Sequence, residues 1–342
     1  TDVQNGIFIK KHILSVSSKT ESSVLFFKQL DVLDKPYRIE KTKSEINEYL
    51  VYHQEFSSLQ SYSFKKKILK EVLAEVGKPD IIHLHILAAD QLIFTRYAIR
   101  KKIPFFISEH WSGYVTDGFK KLPKFKQLIF KRISKRAKAI LPVSNFLKTG
   151  MQNSDLNGMY QVIPNVVSLP TSSLEKYKDF TFIVVADMVD SIKNISGIIT
   201  AFQKLNHPTA QLILVGNGPD IDKIKTLSNQ KKRRIIFKGR LSNEETLLEM
   251  SKAHCLVVNS FVETFSVVTL EARAQGLQVI TTNCGGPSEI ADSFTQVIPL
   301  GKTTILQEKM SFALHQKNIK SRNISDFSME SVGSYIQHIY NH

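Results

Sequence analysis

Within Val257 to Glu289, VVNSFVETFSVVTLEARAQGLQVITTNCGGPSE, two glutamates stand where chemistry is possible: Glu263 just after an apolar run that ends at Ser260, and Glu271 eight residues further on. The β-branched run predicts a buried strand, the stretch after it a loop, and the apolar period from Phe265 or Ser266 a helix carrying Glu271. In an open α/β sheet, ligands bind outside the carboxyl ends of the strands, where such a loop lies. The N–H groups of Thr264, Phe265, Ser266 and Val267 at the helix start then face an anion such as a phosphate, in a field worth about 0.3–2 kcal/mol. Glu271, just over one turn in, is placed to accept hydrogen bonds from a pair of ribose hydroxyls, and Glu263 lies nearer a group being transferred. Two glutamates at this spacing say little alone, since a solvated loop Glu263 and a helix-face Glu271 have the same pattern. The strand, loop and helix order around them, closed by a second strand ending at Gly285-Gly286, is what gives the pair meaning.

The elements that must position these residues repeat one unit, a short β-branched run followed by an amphipathic helix, which predicts parallel sheets with helical crossovers. In the first half Ser23–Phe27, Ile81–His85, Phe105–Ser108 and Ala139–Val143 read as strands, and Ile7–Ser17, Phe64–Glu75, Asp90–Lys101 and Lys124–Lys138 as helices. In the second half the strands are Thr181–Ala186, Gln211–Val215, Ile235–Lys238, Cys255–Asn259 and Gln278–Thr281. With 342 residues, two domains are expected. The division falls after Ile163-Pro164-Asn165-Val166-Val167, giving domains of residues 1–167 and 168–327, with a polar linker over Ser168–Asp179. A last helix over 328–342 is expected to pack back on the first domain. A doubly wound domain opens with a strand, yet the first periodic segment is a helix after Asn5-Gly6, so a leading strand is expected upstream of it.

These motifs together resemble the family-4 glycosyltransferases, whose signature is Glu-x7-Glu. Phe180 to Phe202, ending its loop in Lys193-Asn194, is similar to the family's phosphate-binding strand and loop. Ile213-Leu214-Val215-Gly216-Asn217-Gly218-Pro219 resembles its VGxGP turn, and Phe237-Lys238-Gly239 the segment beside the nucleobase. Ile163 to Val167 resembles the IPNGV hinge, while Asp80 to His85 and Ser108-Glu109-His110-Trp111 resemble the acceptor-side strands. The resemblance implies the GT-B fold, an α/β architecture of two Rossmann-like, doubly wound parallel-sheet domains facing across a cleft. It implies transfer of a sugar from a UDP- or GDP-sugar with retention of anomeric configuration and without a metal ion or other cofactor. By the same resemblance, Glu271 binds the donor ribose, Glu263 assists the transferred sugar, and Lys193 neutralises the diphosphate as charge builds on the leaving group. Gly6 lets backbone approach phosphate, Gly216 forms the turn beside it, and His110 hydrogen-bonds the donor sugar. One position departs from the family: six residues before Lys193 the usual arginine is Asp187, which repels a diphosphate unless a cation such as Arg240 or Arg273 offsets it.

Other residues carry weaker signals. His83 and His85 alternate on one strand and are expected to pack or anchor loops, and Trp111 either packs or stacks on an acceptor sugar. Cys255 and Cys284 show neither a paired framework nor metal-ligand spacing, so no metal site is expected and a reducing cytoplasm suits them. Thr1 to Lys11 is polar and carries no signal-peptide pattern. No run of about 18 apolar residues exists to span a bilayer.

The net charge is +15 and falls unevenly: residues 1–167 hold 27 Lys+Arg against 15 Asp+Glu, and residues 168–342 hold 19 against 16. Much of the excess sits in Leu122 to Lys138, LPKFKQLIFKRISKRAK, where Phe125, Leu128, Ile129, Ile133 and Ala137 recur at helical spacing and are expected to face the core. Each Lys or Arg near an anionic leaflet contributes about 1 kcal/mol. The first domain is therefore expected to rest peripherally on the inner face of the cell membrane and to glycosylate a lipid-linked or oligosaccharide acceptor. A nucleic-acid partner is not expected, since no nucleic-acid-binding module accompanies the charge. A same-fold sugar-nucleotide epimerase, or a binder that never turns over, stands as the alternative activity.

Overall fold

The computed structural model describes residues 6–168, 174–229, 234–316, 320 and 322–342. Part of the expected linker, residues 169–173, lies outside the described residues, as does Asn5. The chain divides into two compact units. The first holds residues up to Val143 together with Lys148–Val166 and Met329–His342, and the second holds Ser144–Leu147 and Val167–Ser328.

In the first unit the strands are β1 (Ser23–Gln29), β2 (Tyr37–Lys43), β3 (Asn47–His53), β4 (Ile82–His85), β5 (Phe105–Glu109) and β6 (Ala139–Pro142). They form two three-stranded sheets rather than one. β4, β5 and β6 are parallel neighbours, as the alternating pattern predicts. β1 pairs instead with β3, in parallel, and β3 pairs antiparallel with β2. The strand and helix alternation does not predict β2 and β3, for a physical reason. β3 shows the period of two, burying Tyr49, Val51 and His53, but β2 is an edge strand dominated by Arg38, Glu40, Lys41 and Lys43, whose charges mask its β pattern.

Helix Ile7–Ser17 packs against the C-terminal helix Met329–Asn341 so closely that a Cβ on Gly333 would lie 2.0 Å from the Ser15 carbonyl oxygen. Val332, Ile336 and Ile339 join Val16, Phe106 and Leu141 in one core. The basic helix is shorter than expected, Lys124–Ser134, and its burial differs from the apolar stripe. Gln127, Phe130 and Ile133 are buried, whereas Phe125 and Leu128 are 60% and 57% exposed. Gln127 is held inward by donating to the Lys120 and Leu122 carbonyls, which rotates Phe125 and Leu128 outward.

The second unit is a single six-stranded sheet of β7 (Thr181–Val185), β8 (Gln211–Val215), β9 (Arg234–Gly239), β10 (Cys255–Val258), β11 (Gln278–Thr282) and β12 (Thr295–Ile298). Its order is β12-β11-β10-β7-β8-β9, and every neighbouring pair is parallel. Buried on both faces, its central strands read as continuous apolar runs, such as Gln211–Val215 with every residue buried. Strand order reverses between β7 and β10, the topological switch point at which α/β sheets open a crevice.

Candidate active site

Two loops leave the carboxyl ends of β7 and β10 side by side. The first runs through Asp187 into the short helix Asp190–Lys193, and the second through Asn259 and Glu263 into helix Val267–Ala274. Two hydrogen bonds hold them in register: the Phe261 backbone N–H donates to the Ile192 carbonyl at 2.8 Å, and the Asn259 side-chain Nδ2 donates to the Asn194 carbonyl at 3.1 Å. Asn194 itself takes a left-handed backbone, φ 48°, which ends the first helix and starts the next, Ile195–Gln203.

At this crossover Lys193 Nζ lies 2.6 Å from Glu263 Oε1, and Ser260 Oγ donates to the same oxygen at 2.9 Å. The side chains are 22% and 19% exposed, so the pair is neither dry nor fully solvated. Such a pair can open without stranding a charge in an apolar interior, and an incoming anion can replace the carboxylate at the ammonium. Glu263 is fixed through its backbone, its N–H donating to Cys284 O and its carbonyl accepting from Gly286 N–H, both at 2.9 Å. Gly286 is needed for this approach, because a Cβ there would lie 2.4 Å from Phe265 Cα and 2.6 Å from Thr264 C.

Ser266 caps the following helix in a left-handed conformation, φ 83°, and its hydroxyl lies 2.9 Å from that of Thr269. Left-handed backbone at a non-glycine residue costs on the order of 1–3 kcal/mol and collects at functional sites. Val267 begins the helix, and in its first turn the Thr269 N–H donates to the Ser266 carbonyl at 3.3 Å. Phe265 is buried and packs its ring 6.1 Å from that of Phe327, so the residue contributes backbone rather than side chain. Glu271 is buried within the helix at 6% exposure.

Gly216 sits against the first loop with φ 134°, and a Cβ there would fall 1.9 Å from Ala186 O. No L-residue fits that position without moving the loop. Arg240 Nη2 lies 3.3 Å from Asp187 Oδ1, so the family-atypical aspartate has a cation beside it. Arg273 is engaged elsewhere, with Asp292 at 3.0 Å, an aspartate it shares with Arg322 at 2.8 Å.

The remaining expected residues belong to the first unit. Gly6 caps helix Ile7–Ser17 with φ 92°, and a Cβ there meets nothing within 4 Å, so the left-handed backbone is what calls for glycine. His110 follows β5, its backbone N–H donating to Glu109 Oε1 at 2.9 Å. Glu109 is fully buried and also accepts from the Leu87 and Trp111 N–H groups, both at 2.9 Å. Burial pushes its carboxyl up to about 6 against the pull of those backbone donors. The sequence marks Glu109 only as part of a motif and does not mark His12 at all, whose ring centroid lies 5.5 Å from that of His110. A lone histidine in an apolar helix carries no spacing signal. His83 is an internal anchor, within hydrogen-bond distance of Tyr340 Oη at 2.5 Å and Ser108 Oγ at 2.9 Å.

Residues 169–326 match the family model described as glycosyl transferases group 1, and residues 37–169 match glycosyltransferase family 4. The chain belongs to the family-4-like glycosyltransferases. Among characterised relatives of this glycosyltransferase is the N-acetyl-alpha-D-glucosaminyl L-malate synthase of Bacillus anthracis, 24% identical over 318 residues, covering 87% of this chain and 82% of that protein. The gpi3 subunit of phosphatidylinositol N-acetylglucosaminyltransferase from Schizosaccharomyces pombe is 27% identical over 140 residues, 39% of this chain and 30% of that one. Solved structures with the same fold include a sucrose-phosphate synthase from Thermosynechococcus elongatus (TM-score 0.70, 16% identity, covering 98% of this chain and 88% of that one). The lipopolysaccharide outer core galactosyltransferase WaaB is another (TM-score 0.64, 19% identity, 84% and 83% covered). The glycosyltransferase therefore has the GT-B fold, each of its two units holding a parallel sheet.

Proposed function

We propose that this glycosyltransferase takes its sugar from a nucleoside diphosphate donor bound at the crossover of β7 and β10. The meeting of Lys193 with Glu263 at that switch point, beside the amino end of helix Val267–Ala274, is the observation that carries the reading. A diphosphate displaces Glu263 from Lys193 and takes the ammonium together with the first-turn N–H groups. These fixed charges stabilise the departing nucleoside diphosphate, so no divalent ion is needed at the phosphates. Released, Glu263 turns toward the transferred sugar, and Glu271 accepts from the ribose hydroxyls. His110 hydrogen-bonds the donor sugar, and Arg240 keeps Asp187 from repelling the phosphates. The configuration of the sugar is retained. One solved relative of this fold, a trehalose-6-phosphate protein from E. coli, is bound with UDP-2-fluoro glucose (TM-score 0.76, 10% identity, 98% and 96% covered), which favours UDP as the first donor to test.

The acceptor is proposed to be a lipid-linked saccharide on an anionic membrane surface, such as the inner leaflet. No helix among the described residues is long and apolar enough to cross a membrane. Phe125 and Leu128 nevertheless stand exposed on a helix whose exposed positions include Lys124 and Arg132, with Lys121, Lys135 and Arg136 exposed beside it. Two apolar anchors inside a basic field are the pattern of reversible interfacial binding.

A panel of UDP- and GDP-sugars tests the donor by thermal shift. A donor present at 100 times its Kd adds about 2.7 kcal/mol to stability, and absence of any shift across the panel would overturn the reading. Nucleotide release measured with and without acceptor then separates transfer, which needs acceptor, from epimerisation, which does not.

A further inference from the structure

Three histidines meet in the N-terminal unit. His12 comes from helix Ile7–Ser17, His85 from the end of β4, and His110 from just beyond β5. Each offers one ring nitrogen, and these three atoms lie within 4.8 Å of one another, the one such group among the described residues. The nitrogens are shut off from solvent and lack a protein partner: Nδ1 of His12, Nδ1 of His85, and both nitrogens of His110. Native proteins rarely bury polar atoms without a partner, and each exception calls for an explanation.

His12 shows how the cluster is poised. Its Nε2 lies 3.0 Å from the Pro164 carbonyl, which can only accept, so Nε2 carries the proton and Nδ1 is left with a bare lone pair. A ring that donates from one nitrogen to a backbone carbonyl and presents the other is the usual arrangement around a ligated metal. The rings are also held from outside: Phe8 lies 4.4 Å from the His110 ring, and His83 stacks 4.4 Å from His85.

We propose that His12, His85 and His110 bind a single divalent transition-metal ion of the zinc type. Three imidazoles without a carboxylate suit zinc, copper or nickel and not the oxygen-seeking magnesium or calcium. Zinc–nitrogen bonds of about 2.0–2.1 Å put tetrahedral ligands about 3.4 Å apart, so the cluster closes by small ring tilts and leaves a fourth position for water or substrate. Desolvation lowers the proton affinity of all three rings, which keeps them in the form that ligates. The ion ties the helix to the ends of β4 and β5 and, through His12, to the Pro164 segment. It also takes a nitrogen of His110; the expectation that occupancy slows sugar transfer rests on the donor role proposed for that residue, whereas the site itself does not.

The test uses the full chain without an affinity tag, stripped with EDTA and given zinc or cobalt alone. Equilibrium dialysis is expected to find one zinc ion per chain, and cobalt to give the strong visible absorption of a four- or five-coordinate nitrogen site. Loss of a partner that merely orients a ligand weakens metal binding about 10–100-fold, so His85→Asn and His12→Asn are each expected to weaken zinc by at least about 10-fold. The double variant His338→Asn/His342→Asn removes a close histidine pair outside the cluster, His338 on the C-terminal helix and His342 just beyond it with rings 4.4 Å apart, and is expected to leave zinc binding unchanged. Zinc affinity retained in both ligand variants, or lost in the C-terminal double variant, overturns the proposal. So does a stripped wild-type chain that takes up no zinc. Should the ligand variants fail to fold, the cobalt spectrum of the unaltered chain decides: weak, octahedral absorption overturns the site.

Discussion

In the C-terminal unit Lys193 and Glu263 complete each other's charge while partly open to water, whereas in the N-terminal unit His12, His85 and His110 turn bare nitrogens toward one another in a buried pocket. Both clusters stand at the carboxyl ends of parallel strands or on the helices beside them, so the architecture does not make the difference. Composition does. A charged pair at half-open depth costs little to separate and can trade partners with an anion, while neutral imidazoles tolerate desolvation and wait for a Lewis acid or a donor. The first cluster is built for exchange and the second for capture.

Replacing one cation is the most severe way to break that contrast. Lys193→Ala leaves Glu263 with only Ser260 and removes the positive charge from the crossover, and kcat/KM is expected to fall by at least about 1000-fold, in the range seen when a transition-state charge donor is lost. Steady-state kinetics with the donor identified by thermal shift checks this; near-normal kcat/KM removes Lys193 from the mechanism.

Next in size is the backbone that brings the two loops together. Gly216→Ala drives a Cβ into the Ala186 carbonyl at a φ that L-residues avoid, and is expected to cost about 1–3 kcal/mol of stability and to weaken donor binding with it. Urea unfolding read by circular dichroism measures the first and isothermal titration the second.

The histidine cluster is sharpened by acid. Burial holds His12 at about 4 and His83 at about 3, and lowers His85 and His110 well below the ordinary histidine value of 6.5. Between those values and 6.5 the unfolded chain binds more protons than the native one, so their contribution is fully present above pH 6.5 and is lost as pH falls toward 4. Glu109, raised to about 6 by burial, acts in the opposite direction between 4.5 and 6, but it is one group against four. Stability is therefore expected to drop on going from pH 7.5 to pH 5. The fluorescence of Trp111, the only tryptophan, reports it from beside the cluster. A flat profile would mean that the rings gain partners or water on protonation.

The smallest effect belongs to the exposed pair. Arg240→Ala is expected to change stability by less than about 1 kcal/mol, yet to raise the donor KM several-fold by leaving Asp187 uncompensated. An unchanged KM would place Asp187 outside the field felt by the diphosphate.

Local signals make the C-terminal unit almost entirely legible. Its first five strands are apolar runs bounded by turns, although the short, half-exposed β12 escapes notice; Glu263 and Glu271 occur at spacings that strand and helix periods translate into position, and Lys193 is marked by the family resemblance. The N-terminal unit is harder to read. β2 hides its pattern under edge charges, β1 pairs with β3 instead of the parallel core, and Gln127 turns Phe125 and Leu128 outward through two hydrogen bonds no periodicity records.

The sequence by itself determined the alternation of strand and helix, the family, the basic bias of the first half and the strand, loop and helix that carry Glu263 and Glu271, because each depends on neighbours within one or two turns of chain. Only the tertiary structure decided that Arg240 answers Asp187, that Lys193 reaches Glu263, and that His12, His85 and His110 share one pocket. Those partners come from separate strands and helices, and their meeting is set by sheet order and packing rather than by any local preference.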